Sequence, residues 1–139
     1  MKKVFTLAIF TLALVFTTSL TAQKFSGLDK SPADIAAYPS SYRVSDKAVR
    51  VIYSRPQLNE RSLSELAPAG KVWRTGANEA VEITFYKDVT FGDTAVKAGT
   101  YSLFTIPTED EWTIIFNKNT ELWGTGGYTQ REDALRMRV

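Results

Sequence analysis

The sequence predicts an all-β fold, a single antiparallel β-sandwich or jelly-roll-like domain with a short helical turn near its N-terminus. Three observations predict it. From Tyr42 onward apolar and polar residues alternate with a period of two. The alternating stretches are short and evenly spaced, and polar turns separate them. No internal repeat or low-complexity tract interrupts the pattern.

Taken in order, residues 23–40 read as an arm and residues 41–139 as the domain. In the arm, Ser31, Pro32 and Asp34 have the form of a helix start, with Ser as N-cap, Pro in the first turn and an acid three residues on. The turn would run through Ile35, Ala36 and Ala37 and stop before Pro39. In residues 47–54, Val49, Val51 and Tyr53 alternate with Arg50, Ile52 and Ser54, a strand stopped by Pro56. Residues 62–66 admit one helical turn, and residues 71–75 a short strand. Val81, Ile83 and Phe85 alternate with Glu82, Thr84 and Tyr86, the cleanest half-buried strand in the chain. Residues 89–91 and 95–96 flank a hairpin loop at Gly92, Asp93 and Thr94. Residues 100–106 are apolar on both faces, as a central strand should be, and a polar turn at 107–111 leads into an antiparallel partner at 112–117. Leu135, Met137 and Val139 start a last strand. A sheet edge ending there leaves unpaired backbone groups, so either a partner covers it or C-terminal strands are missing from the sequence.

The first 22 residues have the layout of a secretory signal peptide. Lys2 and Lys3 form a positive start, and thirteen uncharged residues, 4–16, follow. Thirteen is short of the roughly 20 that a spanning helix needs. Cleavage is expected after Ala22, which leaves Gln23 at the new terminus and predicts a periplasmic or secreted protein. No cysteine follows the apolar run, so the lipoprotein route is closed.

Composition excludes whole classes of chemistry. With no cysteine there are no disulfides, thiolate nucleophiles or Cys-held metals. With no histidine there is no Ser-His-Asp triad and no imidazole ligand. The chain has 17 Lys and Arg against 15 Asp and Glu, and loss of Lys2 and Lys3 makes the signs equal. A neutral domain lacks the basic field that nucleic acid or an anionic membrane would require. No cofactor is implied, and no membrane insertion is expected once the signal is cleaved.

Four stretches carry a resemblance to a known family. They are residues 51–56 (VIYSRP), 70–80 (GKVWRTGANEA), 98–107 (AGTYSLFTIP) and 112–117 (WTIIFN). Together they resemble the DUF2911 family, a domain of unknown function common in secreted Bacteroidetes proteins. The likeness covers essentially all of the chain after residue 22. It departs from the family at Glu60-Arg61, where Gly-Arg is usual, and at Thr125, Gly126 and Gly127. Members also run some tens of residues beyond the position of Val139. The resemblance implies the β fold and leaves the function open.

Strand parity singles out three charges. Arg55 follows Val49, Val51 and Tyr53 on one face, Glu79 precedes Val81, Ile83 and Phe85, and Arg74 follows Val72. Each charge falls at a strand end on the parity that otherwise points inward, where it must be paired or line a solvent-filled mouth. Arg55, Arg74, Asn78 and Glu79 are therefore expected to meet as a polar pocket at one end of the domain. A plain salt bridge with Arg55 or Arg74 clamping Glu79 is the alternative. Three functions remain open. One is a binding module for a small anionic or carbohydrate ligand in the bacterial envelope. Another is an enzyme using Glu79 with Arg55 and Arg74, and the third is a structural envelope domain. A concave site containing Glu79 would favour the first two, and a flat, fully paired Glu79 the third.

Among the tryptophans, Trp112 alternates with Ile114 and Phe116 and belongs to the core. Trp73 fits a rim, and Trp123, in a loop, is the best candidate for an exposed stacking platform. Gly124, Gly126 and Gly127 lack the context of a phosphate loop, and the acids lack Ca²⁺-loop spacing. Arg131, Arg136 and Arg138, interleaved with Glu132 and Asp133, read as a solvated or edge-guarding set.

Overall fold

The computed structural model describes residues 25–139. The predicted signal peptide at residues 1–22 lies outside the described residues. Among the described residues eight strands form the fold: β1 (Ala33–Tyr38), β2 (Val49–Ser54), β3 (Val81–Phe85), β4 (Val89–Phe91), β5 (Thr94–Val96), β6 (Gly99–Pro107), β7 (Trp112–Asn117) and β8 (Asp133–Arg138). A four-residue helix, α1 (Leu63–Leu66), and a 3₁₀ turn at Gln130–Glu132 complete it. The order β1-β2-β3-β6-β7-β8 makes one antiparallel meander, and β4-β5 is a separate two-stranded sheet. The all-β expectation holds, with the second layer reduced to a hairpin.

One face of the large sheet is aromatic. Phe85, Tyr101, Phe116 and Leu135 are buried there, and Val89, Phe91 and Val96 of the β4-β5 hairpin close over them. Phe116 lies 5.3 Å from Phe85 and 5.2 Å from Phe91 between ring centroids, in tilted and edge-on contacts that such rings prefer. The opposite face buries Phe104, Ile115 and Ala80. Among the described residues no strand pair covers this side. Leu122 and Tyr128, from the loop at residues 118–129, pack on it instead. Because β6 and β7 are central and covered on both faces, their residues are apolar on both parities.

The N-terminal helical turn is a correction. Residues 33–38 form β1, paired in register with β2 from Ala33–Ser54 to Tyr38–Val49. The Ser-Pro-Ala-Asp signature is local, and it loses to the ladder that β2 offers along its whole length. The sheet thus begins inside the segment read as an arm. Residues 71–75 are also not a strand of their own. Trp73 exchanges backbone hydrogen bonds with Thr105 at 2.7 and 2.9 Å, a single bridge, before Thr75 turns at φ 62°. The turn at residues 62–66 is present, with Ser62 and Glu65 in a capping box.

Candidate functional site

The site is built where the loop after β7 folds back beside the entry to β3. Ala80 N–H donates to the Leu122 carbonyl at 2.8 Å, and Gly124 N–H to the Asn78 carbonyl at 3.0 Å. These two bonds enclose Glu79 and Trp123 as a directly opposed antiparallel pair. Such a pair, lying between its hydrogen bonds, brings its side chains closest together. Positive φ values at Asn78 (59°), Glu121 (58°) and Gly124 (64°) make the turns that allow it. A Cβ on Gly124 would sit 3.3 Å from Arg74 Nη1, so the guanidinium rests against the loop backbone. Arg74 Nε also donates to the Gly76 carbonyl at 3.2 Å.

The N-terminal arm supplies the other wall. Asp29 accepts from Ser31 N–H at 2.7 Å and from Asn78 Nδ2 at 3.1 Å. These bonds, the Ser31 amide first, hold its carboxyl below the ordinary value and keep it charged at neutral pH. Farther along the arm, Gln57 Nε2 donates to the Lys30 carbonyl. The result is an open cleft of about 710 Å³ lined by Leu28, Asp29, Ser54, Asn78, Glu79 and Trp123 among others. Trp123 is 70% exposed at its edge. Glu79 is exposed too, and among the described residues it enters no ion pair.

The four residues expected to meet in one pocket thus divide. Asn78 and Glu79 line the cleft. Arg74 stands behind it, buttressing Gly124 and Gly76. Arg55 binds Asp34 at 2.7 Å and lines a separate hollow of about 400 Å³ with Lys30, Pro32, Pro56 and Gln57. Glu79 escapes the inward parity because Asn78 turns the backbone immediately before it. Trp73 and Trp112 meet edge to face at 6.3 Å, half-buried, and are not presented as a platform. Asp29 and Ser54 carried no signal in the sequence. Only the fold of the arm brings Asp29 to Asn78, 49 residues away.

Behind the loop lies a second polar group. Asn117, fully buried, donates from Nδ2 to the Thr129 carbonyl at 2.9 Å and to Asp133 Oδ1 at 2.8 Å, and its Oδ1 accepts from Asn119 N–H. Asp133 also receives the Tyr128 hydroxyl at 3.1 Å and Arg136 Nη1 at 3.2 Å. This network fixes the base of the loop that carries Trp123. Among the described residues no group of His, Cys, Asp or Glu side chains has the arrangement to hold a metal ion, and no helix is long and apolar enough to cross a membrane.

Neither the curated proteins nor the solved structures contain a significant match to the chain. Residues 31–139 match the profile of the family described as protein of unknown function, DUF2911. That match spans the whole large sheet from β1 to β8, and the chain belongs to the DUF2911 family.

Proposed function

We propose that the domain is a carbohydrate-binding module acting in the bacterial envelope, with its ligand seated on Trp123. The observation that carries this reading is the enforced pairing of an exposed indole with Glu79 and Asn78 in one open cleft. A large apolar ring beside a few fixed polar groups suits a sugar, which has an apolar face and a rim of hydroxyls. Asn78 and the acids Asp29 and Glu79 provide donors and acceptors for that rim. An anionic ligand fits less well. Both acids face the cleft, Arg55 is bound to Asp34, and Arg74 lies behind Gly124. The arrangement of residues 1–22 supports a place outside the cytoplasm.

The test is a tryptophan-fluorescence or NMR titration with neutral, amino-sugar and uronate oligosaccharides. Neutral or amino-sugar oligomers should bind and uronates should not. Trp123→Ala should weaken binding about tenfold or more, as loss of an aromatic anchor does, with an unchanged thermal midpoint. Absence of binding by every sugar, or binding indifferent to Trp123→Ala, would sink the reading.

A further inference from the structure

Among the described residues the large sheet is bounded by β1 and β8, and the two strands are finished differently. On β8, Val139 exchanges both backbone bonds with Trp112, so Arg136 and Arg138 turn their peptide groups outward, and a bulge at Phe116/Asn117 breaks the alternation before them. Both side chains are charged, tied to Asp133 and Glu111 by ion pairs of 3.2 Å. Charged side chains at such positions guard an edge against pairing.

On β1 the guard is missing. Arg55 N–H donates to the Pro32 carbonyl and Ala48 N–H to the Tyr38 carbonyl. Even-numbered residues therefore face β2, and Ala33, Ile35 and Ala37 present their N–H and C=O groups outward. All three are apolar, and Ile35 is 60% exposed. The strand's one charge, Asp34, is already bound to Arg55.

We propose that the protein forms a two-fold dimer in which β1 pairs antiparallel with β1 of a second copy. Opposed residues on antiparallel strands share a face, so the symmetric register must be centred on a residue. Centring on Ile35 opposes Ile35 to itself and Ala33 to Ala37. All outward peptide groups of β1 are then used, and Asp34 falls opposite Ala36. Centring on Ala36 instead sets Ala33 against Pro39, which has no N–H to give. A register one pair the other way sets Asp34 against Asp34, a like-charge contact. The Ile35-centred register is the one that satisfies the edge without such a conflict. It joins two six-stranded sheets into one of twelve, with apolar Ile35 side chains adjacent across the axis. Because that axis is perpendicular to the sheet, the two Trp123 clefts open on the same side, each with its own Ala33 in the lining.

Sedimentation velocity over a hundredfold range of concentration tests this, with Ile35→Lys as the variant. The unaltered protein should rise to twice the monomer mass. Ile35→Lys should stay monomeric at every concentration with the same thermal midpoint, since its side chain is already in solvent. The chain has no cysteine of its own, so single introduced thiols report the register directly. Ile35→Cys should be captured as a covalent dimer by a short bismaleimide, and Arg138→Cys, on the other edge, should not. A constant monomer mass for the unaltered protein would overturn the proposal. So would a dimer that persists in Ile35→Lys, or capture through Arg138→Cys equal to that through Ile35→Cys.

Discussion

The two faces of the six-stranded sheet are sealed by opposite means. The aromatic face is closed by a hairpin whose Val89, Phe91 and Val96 meet Phe85 and Phe116, side chain on side chain, with a single polar tie at its margin from the Tyr101 hydroxyl to the Lys97 carbonyl. The other face is closed by a loop held in place by Asn117, Asp133 and Tyr128. Burial of apolar area is non-directional and tolerates small shifts, whereas a buried polar network fixes its members to within a hydrogen-bond length. The candidate cleft lies beside the loop face. A platform such as Trp123 must be held in one orientation, and a hydrogen-bonded loop base does that where a greasy contact would not.

Substitutions should separate the two modes. The largest effect is expected at Phe116, whose ring touches Phe85, Phe91 and Tyr101. Phe116→Ala should lower the unfolding free energy by about 3–5 kcal/mol in denaturant titrations, as removal of a buried aromatic does. It should do so without altering the environment of Trp123. Asn117→Ala should cost less, about 1–3 kcal/mol, since it removes the donor to Asp133 Oδ1 and to the Thr129 carbonyl. Unlike Phe116→Ala, it should broaden or shift the Trp123 indole resonance in the folded protein. Equal effects of both variants on Trp123 would erase the distinction.

The smallest effect is at alkaline pH. Burial first, then the hydrogen bond to Asp133, raises the Tyr128 phenol above its ordinary value of 10.0. A group raised in the folded state contributes stability that is complete below its unfolded value and is lost as pH rises through the folded one. Unfolding free energy should therefore fall above about pH 10, and Tyr128→Phe should flatten that fall. A slope identical in the two proteins would detach Tyr128 from the loop's stability.

The same contrast explains what could be read from the letters. Wherever a strand packs one face on apolar neighbours, as at Val81, Ile83 and Phe85, period two is visible and the element is found within a residue or so. β1 was hidden because its side chains are small and mostly exposed, leaving the Ser-Pro-Ala-Asp capping signature as the dominant local signal. In the cleft, Glu79 is legible from its strand parity and Trp123 from its place in a loop. Their true companion, Asp29, arrives through a long-range turn of the arm that no periodicity encodes. Arg55 and Arg74 followed the parity rule to its letter. They do not share one pocket, because Arg55 is drawn to Asp34 on β1 and Arg74 rests on Gly76 and Gly124, contacts that parity within a single strand does not report.

The meander order also bears on how quickly the chain finds its fold. Four of the five ladders in the large sheet join strands consecutive in sequence, and β3–β6 spans only the inserted hairpin. The turn between β6 and β7, Thr108 to Glu111, is closed by its own hydrogen bonds at 3.0 and 2.6 Å. Loop-closure entropy is therefore modest at most steps, with the β2–β3 connection the longest detour. For an all-β chain this topology favours fast refolding, in milliseconds rather than seconds by stopped flow, with the β6–β7 hairpin formed early. Slow refolding unaffected by substitutions in that hairpin would mean the long β2–β3 closure sets the rate instead.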